Sequence, residues 1–123
     1  MGAAPAIPLL RFFGGAQRLG VVAAAVERMD EGGSGCPHVA ALLGLPQDCA
    51  PIEQRTVTLN AYGKRARVLI DGPVRFRSVA AHDMLPAAPL LRRGRVQGVL
   101  GFAREEAHMV LLLDVAWLVE QAC

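Results

Sequence analysis

Thr56-Val57-Thr58-Leu59-Asn60-Ala61-Tyr62-Gly63-Lys64-Arg65-Ala66-Arg67-Val68-Leu69-Ile70 carries the clearest structural signal in the chain. Val57 and Leu59 alternate with Thr56, Thr58 and Asn60, the period of two that sends successive side chains to opposite faces of a strand. Gly63 marks a turn. Beyond it Ala66, Val68 and Ile70 alternate with Arg65, Arg67 and Leu69, so a second strand is expected to return beside the first. Asp71-Gly72 reads as a break before Pro73, after which Val74 and Phe76 oppose Arg75 and Arg77. Because Phe76 shares its parity with apolar Val74, the pattern predicts a buried Phe76 and two arginines on the polar face.

Toward the C-terminus, Ser78 to Pro89 reads as irregular, because Pro86 and Pro89 exclude a central strand. Val96 to Phe102 and Met109 to Leu113 predict a further hairpin across Arg104-Glu105-Glu106-Ala107, with Val110 and Leu112 both facing the core. Asp114 suits the N-cap of a last helix in which Val115, Leu118, Val119 and Ala122 form one apolar stripe. Toward the N-terminus, Pro37 suits a first helical turn, and Val39, Leu42 and Leu43 fall at helical spacing before Gly44. Asp30 to Gly35 is a loop, and Leu45 to Pro51 a linker. Leu9 to Phe13 and Leu19 to Val22 read as strands around Gly14-Gly15-Ala16-Gln17, with Val26 to Met29 extending their sheet. Residues 1–8 are expected to form a flexible tail. Many short strands joined by Gly and Pro turns predict a mainly all-β domain, a small barrel or sandwich.

The 123 residues, 53% apolar and 20% charged, fit one compact domain with an adequate core. No apolar run reaches the roughly 20 residues that a membrane span needs. The N-terminus has no basic region ahead of its short apolar stretch, and Ala6 stands where a myristoylation motif needs Ser or Thr. A cytoplasmic protein without direct membrane insertion is expected. Net charge is only +2, yet Arg55 to Arg95 holds nine bases against two acids while the remainder is acidic. Such asymmetry bears on partners rather than on fold.

Motifs for catalysis are weak. Cys36 and His38 lie beside a Gly-rich loop with no recognisable nucleophile context, and Cys49 has no histidine near it in sequence. His82 and Asp83 read as solvated loop residues, and Asp71 and Asp114 as turn and cap residues. Cys36, Cys49 and Cys123 lack metal-ligand spacing and are expected as small buried thiols. The Gly14-Gly15 and Gly32-Gly33-Ser34-Gly35 stretches lack the residues of a phosphate loop. No catalytic, cofactor-binding or metal residue is expected.

From Thr56 to Glu120 the chain resembles the second half of the CheW-like coupling proteins of bacterial chemotaxis. The resemblance is carried by Thr56 to Ala61, Gly63-Lys64-Arg65, Val68-Leu69-Ile70-Asp71, Val74 and Met84-Leu85-Pro86. Gly98-Val99-Leu100-Gly101-Phe102-Ala103-Arg104 followed by Val110-Leu111-Leu112-Leu113-Asp114-Val115 is similar to the family's closing hairpin. In the first half, Leu9 to Val26 resembles the opening strands, and Val39-Ala40-Ala41-Leu42-Leu43-Gly44-Leu45-Pro46 the end of the first subdomain. The strands around the family's NLRG motif have no counterpart. Only Asp30 to Gly35 stands in their place, so the arginine of that motif is not carried over.

The resemblance implies a CheW-like fold of two SH3-like β-barrels within residues 9–123. The first barrel, over 9–50, is reduced; the second spans 51–114, and a C-terminal helix covers 115–123. It implies a non-enzymatic adaptor at membrane-associated receptor arrays, binding a chemoreceptor, a chemotaxis histidine kinase or another CheW-like adaptor. With the NLRG strands absent, attachment through one surface and an accessory role are expected. Arg65, Arg67, Arg75 and Arg77 are the expected polar contacts. Leu10, Phe12 and Val21 are the expected apolar ones, beside a sheet edge left uncovered, which also offers a route to self-association. The alternative is a small basic barrel that binds nucleic acid, for which the basic stretch supplies only Tyr62 and Phe76 as stacking platforms; no nucleic-acid partner is expected on the favoured reading.

Overall fold

The computed structural model describes residues 5–32, 35–46, 53–86 and 97–122. They form β1 (Ala6–Gly14), β2 (Gln17–Val22), β3 (Val26–Glu31), α1 (Val39–Leu43), β4 (Gln54–Ala61) and β5 (Lys64–Ala80). After these come β6 (Met84–Pro86), β7 (Val99–Glu105), β8 (His108–Leu113) and α2 (Val115–Ala122). The strands make one sheet in the order β3-β4-β5-β1-β2-β8-β7-β6. Neighbours are antiparallel except β2 and β8, which run parallel.

The expected β4–β5 hairpin closes through Tyr62 and Gly63, with φ of 53° and 81°. Two consecutive positive φ values match the right-handed twist of the flanking strands. Asn60 Oδ1 accepts the Gly63 N–H at 3.2 Å and fixes the corner. Asp71-Gly72 does not end the second strand. β5 pairs with β4 as far as Asp71 and with β1 from Asp71 to Ala80, so the break is a change of partner. Pro73 has no N–H to continue a ladder, and the Gly72 N–H turns aside to the Glu53 carbonyl at 2.9 Å.

Adjacent leucines show how the sheet builds two cores. Leu10 joins Phe12, Leu19, Val21, Val57, Leu59, Val68 and Ile70 under α1 and α2. Leu9, one residue away and therefore on the opposite face, joins Val79, Ala103 and Val110. Both clusters draw residues from the 9–50 stretch and from beyond residue 51, because β1 is inserted between β5 and β2. In α2, Val115, Leu118 and Val119 are buried as the apolar stripe predicts, and Asp114 Oδ1 accepts the Trp117 N–H at 3.2 Å as its cap. Val110 is buried as expected, whereas Leu112 is only half-buried at the margin of the smaller core.

Three other expectations are corrected. The tail does not extend to residue 8: β1 begins at Ala6, paired with Ala80. Pro8 fits there because the β2 ladder starts only at Leu9, so no strand needs its missing N–H on that side. The segment from Ser78 is ordered: β5 continues to Ala80, and after one 3-10 turn β6 pairs with β7 at the sheet margin, where Pro86 is tolerated. Pro37 precedes α1 instead of starting it, and His38 is the N-cap.

Candidate partner-binding face

The four arginines proposed from the sequence fall into two pairs, separated by the change of partner at Asp71. Arg65 and Arg67 stand opposite Asn60 and Thr58 of β4. Both are exposed, but Arg65 already donates from Nε to Glu27 Oε1 at 3.0 Å, across from Asn60, which donates to the same carboxylate. These two donors hold the Glu27 carboxyl below the ordinary glutamate value, the Asn60 hydrogen bond foremost. Part of this basic pair therefore stitches β3, β4 and β5 together.

Arg75 and Arg77 are exposed on β5 beside β1, with Arg75 directly opposite Arg11 and Arg77 opposite Leu9. Arg11 went unnoticed in the sequence because it sits inside the apolar run Leu9-Leu10-Arg11-Phe12-Phe13. It is 5% exposed and its Nε has no hydrogen-bond partner. Its Nη1 lies 3.4 Å from Glu105. Arg18 joins from β2, opposite Phe13, and the Phe13 ring carries Arg11 at 5.6 Å and Arg18 at 5.2 Å. Burial lowers the Arg11 pKa; Glu105 opposes that shift, and Arg18, Arg77 and Arg75 add to it. A charge inside an apolar strand was the available signal for this cluster.

The apolar contacts proposed from the sequence are not on the surface. Leu10, Phe12 and Val21 are 0%, 1% and 1% exposed. The reason is topological. β1 and β2 are central strands, flanked by β5 and β8, and the larger core covers that face. Phe76 is the opposite correction: parity with Val74 predicted burial, yet it is 64% exposed. Past Asp71, β5 has β1 on one side and no paired strand on the other among the described residues. Phe76 therefore stands at an open margin, on the face of β5 opposite Arg75 and Arg77.

The sequence also understated Asp71. It is 6% exposed, and it accepts the Gly15 N–H at Oδ2 (3.0 Å) and meets His38 Nε2 at Oδ1 (2.9 Å). His38 Nδ1 in turn accepts the Ala40 N–H at 3.0 Å, capping α1. With Nδ1 accepting, the ring proton resides on Nε2 and points at Asp71. Both ring nitrogens are engaged, so His38 has none left to activate Cys36. His82 is exposed, 3.6 Å from Asp83. Cys49 and Cys123 lie outside the described residues. Among the described residues, no group of three His, Cys, Asp or Glu side chains is placed to hold a metal ion, and no helix is long and apolar enough to cross a membrane.

No known family profile and no curated protein matches this sequence. Among solved structures, the chain is similar to the scaffolding protein TtCheW from Thermoanaerobacter tengcongensis, with a TM-score of 0.72. The likeness covers 89% of this chain and 90% of that one at 12% sequence identity. The fold is therefore mainly β and CheW-like, with one large sheet and short helices.

Proposed function

We propose that this chain is a non-enzymatic adaptor of a bacterial chemosensory system, located in the cytoplasm at receptor arrays. It attaches through one surface to a receptor, a histidine kinase or another adaptor of its own fold. The observation that carries this reading is the likeness to a scaffolding protein along nearly the whole chain, combined with an arginine-rich outer face. The reduced first barrel expected from the sequence, where only Asp30 to Gly35 stands in place of the strands around the NLRG motif, favours an accessory role over direct coupling. Capture of receptors, kinase and adaptors from the same organism by the immobilised chain tests the proposal. Retention of one class of chemosensory protein supports it, and retention of none contradicts it.

The exposed Phe76, on the face of β5 opposite Arg75 and Arg77, favours one other reading, a single nucleic-acid strand that crosses the open margin of β5, stacking on Phe76 and meeting basic side chains around the edge. Steeply salt-dependent affinity for arbitrary single strands, lost in Phe76→Ala, would select it.

A further inference from the structure

We infer that Arg11, Arg18, Arg75 and Arg77 form a receptor site for the carboxylates of an acidic, extended segment of a partner protein. The inference rests on the adaptor reading and names what its surface recognises. Four guanidinium groups converge where β5, β1 and β2 lie side by side, and Arg11 and Arg75 are direct cross-strand partners. Like charges placed opposite each other destabilise a sheet, so the arrangement calls for an anion. Among the described residues one carboxylate pairs with Arg11, that of Glu105, and at 3.4 Å it is looser than the 2.7–2.9 Å typical of charge-assisted bonds. Arg11 Nε remains buried and unpartnered. An unmet buried donor of this kind is uncommon and requires an explanation.

The occupant follows from three details. Glu105 shows that the cluster accommodates a carboxylate. The Phe13 ring carries Arg11 at 5.6 Å and Arg18 at 5.2 Å, holding both charges at this place, and a guanidinium is suited to forked contacts with carboxylate oxygens. Arg75 and Arg77, two apart on one face of β5, are separated by about 7 Å. That is also the repeat of side chains at i and i+2 on an extended peptide, so two acidic residues in alternation fit both arginines. Exposed Phe76, between them in sequence, stands at the open margin of the same strand segment.

A synthetic peptide of alternating Glu and Val, with an alternating Gln and Val control, tests this on the full-length chain by fluorescence anisotropy. The Glu peptide should bind and the Gln peptide should not. Arg75→Glu with Arg77→Glu should weaken binding by about tenfold or more, equivalent to about 1.4 kcal/mol. Arg18→Gln should weaken it less, and Arg65→Gln with Arg67→Gln should leave it unchanged. Equal affinity for the Gln peptide, or binding unaffected by the Arg75 and Arg77 changes, would overturn the inference. So would displacement by inorganic phosphate at lower concentration than by free glutamate, which would assign the cluster to phosphate. A chain that captures a chemosensory protein but ignores the Glu peptide refutes this inference alone. One that takes the peptide but no chemosensory protein refutes the adaptor reading alone.

Discussion

His38 Nε2 lies 2.9 Å from Asp71 Oδ1, joining the cap of α1 to the residue at which β5 exchanges β4 for β1. Asp71 also receives the Gly15 N–H of the β1–β2 turn. One buried carboxylate thus ties three parts of the chain that are far apart in sequence. Removing it leaves two part-buried donors unmet, each costing up to about 1–3 kcal/mol. Asp71→Ala should therefore lower stability by about 3 kcal/mol in chemical denaturation, while Asp83→Ala at the exposed turn should stay within about 0.5 kcal/mol. Equal midpoints for the two variants would remove the structural role assigned to Asp71.

Leu10 decides between a core position and a binding position. As the structure places it, Leu10→Ala should cost about 2–5 kcal/mol through lost burial and the cavity left behind. Leu100→Ala, at a side chain 60% exposed, should change stability by about 0.5 kcal/mol or less. A Leu10 variant of undiminished stability with impaired partner binding would restore the surface position expected from the sequence.

These two residues also show what is legible in a sequence of this kind. The alternation through Val57, Leu59, Ala66, Val68 and Ile70 reports burial directly, and so does the Asp114 cap, because both are local. Asp71 looks like a turn residue for the same reason: its partners His38 and Gly15 lie 33 and 56 residues away. Leu10, Phe12 and Val21 look available for binding only while the placement of β1 between β5 and β2 is unknown. Phe76 fails in the opposite sense, because parity assigns a face and says nothing of whether that face is covered. Arg75 and Arg77 could be proposed from local pattern, but Arg11 and Arg18 join them only through strand pairing.

Tyr62 occupies the left-handed region at φ 53° with its side chain 96% exposed. An L-residue with a Cβ pays about 1 kcal/mol there, and Asn-Gly is the preferred pair for this two-residue turn. Tyr62→Asn should raise the thermal midpoint, with a gain of about 0.5–1 kcal/mol. A fall in the midpoint would mean that Tyr62 makes a stabilising contact absent from the structure.

Glu27 provides a pH test. The Asn60 hydrogen bond lowers its pKa most, partial desolvation opposes this, and Arg65 lowers it further. A depressed carboxyl stabilises the fold fully above its unfolded pKa, and that contribution disappears as pH falls through the folded value. The side-chain titration of Glu27, followed by NMR, should have its midpoint below that of an ordinary glutamate. Asn60→Ala should move the midpoint upward. A midpoint unchanged by Asn60→Ala would dissolve this cross-strand network.

The claim of attachment through one surface is tested most directly by reconstituting receptor, kinase and this protein with no other adaptor present, and measuring kinase activity with and without receptor ligand. The account predicts that the chain binds one component, that binding is lost when Arg75 and Arg77 are both changed to Glu, and that kinase activity remains indifferent to the receptor. Receptor-controlled kinase activity in that mixture would contradict it.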